Sequence, residues 1–257
     1  MPRHSREKCD SGIYHVMVRG INRQSIFNDE ADYIRYLDTI KRMKTDNSFE
    51  LYGYCLMYNH VHLLLKEDKE DTSLIMKRIG TSYAFWYNSK YARVGHVFQD
   101  RYKSEGVDND AYLLSLIRYI HNNPVTAKIT KEPEEYRWSS CRKYYGYKEF
   151  PADITDTDFI IGMFSDKKDV ARKLLAEYTK KENHEIYLYD KITVRKNDSI
   201  VLAEIEAILN GIPISILKSM KKKERDPILQ RIKAIEGSNQ RQVARLTGLN
   251  QNIIFKA

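Results

Sequence analysis

His60-Val61-His62 sets two imidazoles two residues apart. On a strand, where side chains alternate between faces, both rings leave the same side and can converge on one metal ion. The pair opens the apolar run Leu63-Leu64-Leu65, a setting in which two polar rings need a reason to be present. Tyr119 and Asn123 are four residues apart, so on a helix a phenol and an amide oxygen would point the same way, one turn from each other. One tyrosine is weak evidence in a chain with 19 of them, so the elements that carry these four residues matter more than any of them alone.

Residues 13 to 19, Ile-Tyr-His-Val-Met-Val-Arg, are β-branched and aromatic and stop at Gly20, which predicts a strand followed by a loop to Asn28. Ile34, Leu37, Ile40 and Met43 recur every three or four positions, which predicts a helix from about Asp29 to Lys44. Leu51 to Met57 and His60 to Leu65 read as an antiparallel hairpin joined by Tyr58-Asn59. A second helix is expected from Ser73 to Tyr91, a strand from His96 to Val107, and a third helix from Asp110 to about Asn122, where Pro124 should end it. The class is α+β: the order β-α-β-β-α-β is the split arrangement of ferredoxin-like domains, followed here by one more helix, and it sets the third strand beside the first.

Beyond about residue 150 the pattern becomes helical, with segments at 157 to 181 and 199 to 219. This predicts two domains, 1–150 and 151–257, with the boundary between residues 146 and 156. Residues 238–257 have the pattern of a helix-turn-helix, with Ser238 as a cap, Gly248 at the turn, Asn250 as the next cap, and Val243, Leu246, Leu249 and Ile253 or Ile254 as its small core. Lys and Arg total 43 against 35 acidic residues in 257, a net charge of +8 that favours a polyanionic partner. Cys9, Cys55 and Cys141 are far apart and odd in number, which supports neither a disulfide framework nor a cysteine zinc site. With no apolar leader and no run of 18 apolar residues, a soluble, cytoplasmic protein without a membrane partner is expected.

Three strings then fall together: His60-Val-His-Leu-Leu-Leu-Lys66, Gly95-His-Val-Phe-Gln-Asp-Arg-Tyr-Lys-Ser104 and Arg118-Tyr-Ile-His-Asn-Asn-Pro-Val125. With Tyr14-His-Val-Met-Val-Arg-Gly20 before them and Trp138-Ser-Ser140 after, they resemble the REP-associated tyrosine transposases, members of the single-tyrosine HUH transposases named for a His-hydrophobic-His motif. The resemblance implies that His60 and His62 bind the metal, that Tyr119 is the nucleophile, and that Asn123 stands at the place of a third ligand on the helix. Asn122, Gln99 or His121 could fill that third place instead, and His15 on the first strand could face the same site.

Two imidazoles and an amide oxygen leave positions open, suiting Mg²⁺ or Mn²⁺ on a scissile phosphate. Attack by Tyr119 would give a 5′-phosphotyrosine and a free 3′-OH, and the covalent link would keep the bond energy for rejoining. A phenol with an ordinary pKa of about 10 needs help from the metal or a base, and the sequence names no base. The implied partner is single-stranded or hairpin DNA from palindromic repeats. Arg19, Arg23, Lys77, Arg78, Arg101 and Lys103 are the candidates for phosphate contacts, and the Ser73–Tyr91 helix and the loop after Gly20 for gripping a hairpin. The oligomeric state is open, a homodimer being one option. Two other readings compete: a non-catalytic DNA-binding protein using the basic surface and helix-turn-helix, and a metal-dependent phosphohydrolase that activates water and has no need of Tyr119.

Overall fold

The computed structural model describes residues 8–44, 48–150, 154–181, 187, 196–235 and 237–256. Strand β1 (Ile13–Arg19) leads through the 20–28 loop to α1 (Glu30–Met43); then come β2 (Phe49–Met57), β3 (His60–Glu67), α2 (Thr72–Lys90), β4 (Lys103–Gly106) and α3 (Asp110–Thr126). The sheet order is β2-β3-β1-β4 with every neighbour antiparallel, so β3 lies between its hairpin partner and β1. The fold is α+β, as expected.

The pleat sorts the side chains. Tyr14, Val16, Val18, Val61, Leu63 and Leu65 pack into a core with residues of α1 and α2. Ile13 and Leu64 go to the opposite side and pack with Leu113, Leu116, Ile117 and Ile120 of α3. Helix α1 starts with a reciprocal capping box between Asp29 and Asp32, and the buried Asp32 also takes Lys90 Nζ at 2.7 Å, locking α1 to the end of α2.

Two elements depart from expectation. The strand expected from His96 shrinks to Lys103–Gly106. Before it, the chain is tied to the end of β1 and the loop after it by the bridge Gly20–Phe98 and the bonds Ile21 N to Val97 O (2.9 Å) and Gln99 N to Arg19 O (2.9 Å). Asp100 then accepts a local bond from Arg101 N at 3.1 Å, an alternative to ladder pairing that the sequence pattern does not reveal.

Helix α3 also continues through Pro124 to Thr126 instead of ending near Asn122. A proline inside a helix costs about 3 kcal/mol. Pro124 is itself buried, on from Leu113, Leu116, Ile117 and Ile120, each no more than 1 % exposed, so the packed face of α3 continues through the proline.

After α3 the chain forms α4 (Cys141–Tyr144), α5 (Asp158–Gly162) and α6 (Lys168–Lys180). The division expected at 150/151 falls inside the first of two compact units, Met1–Tyr189 and Asp190–Ala257. The physical reason is that Ile160, Ile161, Ala171 and Leu175 fill the core on the α3 face.

The second unit holds α7 (Asp198–Leu209), α8 (Lys222–Lys233), α9 (Gln240–Thr247) and α10 (Gln251–Lys256) around Val201, Ile205, Leu229, Ile232, Val243 and Ile254. Helix α7 ends at Asn210, in the left-handed region, with Pro213 soon after, so the expected 199–219 helix is broken there. The cap of α9 is Asn239, whose side chain accepts from Gln242 N at 3.0 Å, not Ser238. Gly248 ends α9 at φ 66. No helix among the described residues is long and apolar enough to cross a membrane.

Residues 1–189 expressed alone should unfold in one cooperative thermal transition. A chain ending at residue 150 loses Ile160, Ile161 and Leu175, roughly 5 to 9 kcal/mol of gross burial, which rivals the whole stability of a domain, so it should fail to fold. Equal melting midpoints for the two fragments would contradict this packing.

Candidate active site

The register of β1 against β3 sets Met17 opposite His62 and Arg19 opposite His60, with His15 one pair further along, opposite Leu64. All of these leave the sheet on the α3 side. His15 and His62 are fully buried and His60 is 6 % exposed. His15 Nε2 and His62 Nδ1 are 3.0 Å apart, with their rings stacked at 5.3 Å between centroids. The His60 and His62 rings meet edge-on at 5.0 Å.

His60 Nδ1 lies 2.7 Å from Asn59 Oδ1. An amide oxygen can only accept, so Nδ1 carries the proton and the ring's lone pair sits on Nε2, the arrangement a metal ligand needs. The Asn59 contact thus fixes the ring's tautomer as well as its position.

Helix α3 supplies the other wall. Asn123 Nδ2 donates to Tyr119 O at 2.9 Å, and the Asn123 side chain also interacts with His60. The half-buried Tyr119 ring stands edge-on to His62 at 5.5 Å and to His15 at 6.1 Å. Its other side is covered by Tyr187, stacked at 4.1 Å, whose hydroxyl donates to Ser115 O at 3.2 Å.

Burial keeps these imidazoles neutral. It pushes His60 down to about 4, with the Arg19 charge adding to the effect. Burial likewise takes His15 to about 4, against a counter-pull from Glu105, its pairing partner on β4. His62 is held well below the ordinary value by burial first, then by His60, His15 and Arg19. Neutral rings are the form that ligates a cation. Among the described residues no three His, Cys, Asp or Glu side chains form a metal-binding group, so a cation on the histidine pair would complete its shell with the Asn123 oxygen and with water or phosphate oxygens.

The four residues singled out in the sequence, His60, His62, Tyr119 and Asn123, therefore come together, and His15 and Arg19 join them. The other candidates for the third ligand lie elsewhere. His121 Nε2 is 2.9 Å from Ser140 Oγ, Asn122 donates to Arg118 O and Thr179 O, and Gln99 is exposed along a groove beside α2.

Of the basic candidates, Lys103 pairs with Met17 and so shares the histidine face. Arg23 is exposed in the loop after Gly20, and Arg78 is ion-paired to Glu70 at 2.5 Å. Lys77 and Arg101 line a cavity of about 350 Å³ with Val18, on the opposite face of the sheet. Three neighbours of the site were missed from the sequence. Glu105 could have been found from strand alternation and Asn59 from its place beside His60, but Tyr187 lies in a polar stretch with no periodic signal.

Residues 8–123 match the family described as Transposase IS200 like. No curated protein gives a match to the chain. Among solved structures, a REP-associated tyrosine transposase bound to a REP hairpin is 20 % identical, with 61 % of this chain and 94 % of that one covered and a TM-score of 0.49. A crystal structure of a transposase from Deinococcus radiodurans R1 is 22 % identical over 47 % of this chain and 97 % of that one, with a TM-score of 0.33. The family match runs from before β1, through β3 with its two histidines, to Asn123 on α3, and over those residues, a little under half of its length, the chain is similar to the IS200-like transposases.

Proposed function

We propose that the first unit is a REP-associated-type tyrosine transposase that cleaves and rejoins single-stranded DNA at hairpins, with Tyr119 as its nucleophile, on a sheet of ferredoxin-like order. The observation that carries this reading is the wall-to-wall arrangement in which the Tyr119 ring stands 5.5 Å from that of His62 while Asn123 bonds His60.

His60, His62 and Asn123 would hold the cation. A divalent metal such as Mg²⁺ or Mn²⁺, once bound, supplies positive charge to a phosphodiester oxygen. Tyr119 Oη forms the new bond to phosphorus and the bond from phosphorus to the 3′ oxygen breaks. The phenol loses its proton and the departing 3′ oxygen takes one up, so the step balances without water. The product is a 5′-phosphotyrosine and a 3′-OH, and the reverse attack by a 3′-OH rejoins the strand.

The stack on Tyr187 limits the orientations open to the phenol, and oriented groups are what such a displacement requires. Arg19 and Lys103, on the histidine face, are suited to the phosphates next to the scissile one, while Arg23, Lys77 and Arg101 would serve DNA outside the site. Arg78 is occupied by Glu70. We read α9, Gly248 and α10 as a helix-turn-helix. Arg245 of α9 is paired with Asp198 at 2.6 Å, so base contacts would fall to the six-residue α10.

End-labelled hairpin DNA with a single-stranded flank, incubated with protein and Mn²⁺, should give a labelled protein band on a denaturing gel. The band should disappear in Tyr119→Phe and with chelator, and fall at least roughly 100-fold in His62→Ala. Cleavage without adduct by both proteins would instead support attack by water, and metal-free DNA binding with intact DNA would support a binding module.

In metal-free protein the His15 and His60 imidazoles should titrate by NMR near pH 4, not near 6.5. Because these folded-state values are depressed, the unfolded chain takes up protons first; the stability they contribute is present above pH 6.5 and lost as pH falls toward 4. Midpoints near 6.5 would contradict the buried, neutral arrangement.

A further inference from the structure

Beyond α3, and outside residues 8–123, the chain returns along the free edge of β2. Ser139 bridges Cys55, Leu56 N donates to Trp138 O at 2.9 Å, and Ser140 N donates to Tyr54 O at 3.0 Å. Where this strap turns away it encloses a pocket of about 210 Å³ walled by Arg137, Arg142, Lys143 and Lys148, with Ser139 and Glu149 also in the wall.

The cations are braced by rings. Arg137 lies over Trp138 at 4.8 Å and over Phe150 at 5.5 Å, besides pairing with Glu30, and Arg142 lies over Tyr147 at 5.5 Å. Tyr147 is 54 % and Phe150 49 % exposed, so both rings also offer surface to a ligand. The acid in the wall, Glu149, accepts from Thr155 Oγ1 and from the amides of Ile154 and Thr155, and also interacts with Tyr54 and Lys143 of the same wall. Four cations against Glu149 and the Glu30 that pairs with Arg137 leave the wall net positive, and guanidinium forks match phosphate oxygens. Exposed aromatic rings between the cations add the stacking surface that single strands use.

We propose that this pocket binds a backbone phosphate of single-stranded DNA flanking the hairpin, with a neighbouring base against Tyr147 or Phe150. The proposal rests on the reading of the first unit as a DNA-processing domain. It adds a contact surface that the Tyr119 site does not contain.

The test uses the full chain as wild type, as Arg142→Gln/Lys148→Gln and as Arg137→Gln, with melting midpoints as the check on folding. Affinity for labelled hairpin DNA with a single-stranded flank is measured against NaCl concentration, alongside Mn²⁺-dependent adduct formation. The double variant should bind several-fold more weakly at low salt. It should lose about 0.7 from the slope of log affinity against log salt for each phosphate contact removed, and still form the adduct at saturating DNA.

Unchanged affinity and slope, with adduct formed by both proteins, would overturn the pocket and leave the Tyr119 reading intact. Weakened binding by the variant in a wild type that forms no adduct would support the pocket and sink the nucleophile. No DNA binding by the wild type would overturn both. Stabilisation of wild type but not the variant by inorganic phosphate, with DNA affinity unchanged, would make this a small-anion site and overturn the DNA assignment.

Discussion

Ile117 reaches the sheet through the space left by Gly53, where a Cβ would collide with its Cδ1. That close approach seats α3 on β2, and the rest of the candidate site depends on it. The helix is a rigid rod, so the depth at which Ile117 sits sets how near Tyr119, half a turn further on, comes to His62. A larger residue at position 53 would first displace the Ile117 Cδ1 methyl from its seat on β2, and Tyr119 and Asn123 share that helix, so any movement of α3 carries both.

The same seating accounts for the electrostatics. By covering the β1 and β3 histidines, α3 removes the water that would let them charge, and the rings stay neutral at physiological pH. Burying three imidazoles in contact would be costly without partners. Here Asn59 and the mutual His15–His62 bond satisfy one nitrogen of each ring, beside a core of Leu64, Leu116 and Ile120, while the buried Nε2 atoms of His60 and His62 have no hydrogen-bond partner among the described residues. The Asn59 bond also directs the His60 lone pair, so one hydrogen bond serves both folding and ligation.

Much of this was legible in the sequence because the strongest signals are local. Alternation along Ile13–Arg19 and His60–Glu67 and the apolar spacing of α1, α2 and α3 give the elements, and their periods of two and 3.6 put His60 with His62 and Tyr119 with Asn123. What was not legible depends on distant partners. The run of α3 through Pro124 follows from the burial of its whole apolar face. The inclusion of α5 and α6 in the first unit follows from Ile160 and Leu175 meeting α3, a contact that no composition change marks. Tyr187 illustrates the limit: a single ring in a polar stretch reaches the site through one stack and one hydroxyl.

In the proposed function, α3 and β3 together form one cation site. Calorimetric or paramagnetic titration of the DNA-free chain with Mn²⁺ tests it most directly, comparing wild type with His62→Ala, Asn123→Ala and Tyr119→Phe. One site is expected, lost in His62→Ala, weakened in Asn123→Ala and retained in Tyr119→Phe. Equal Mn²⁺ binding by wild type and His62→Ala would contradict it.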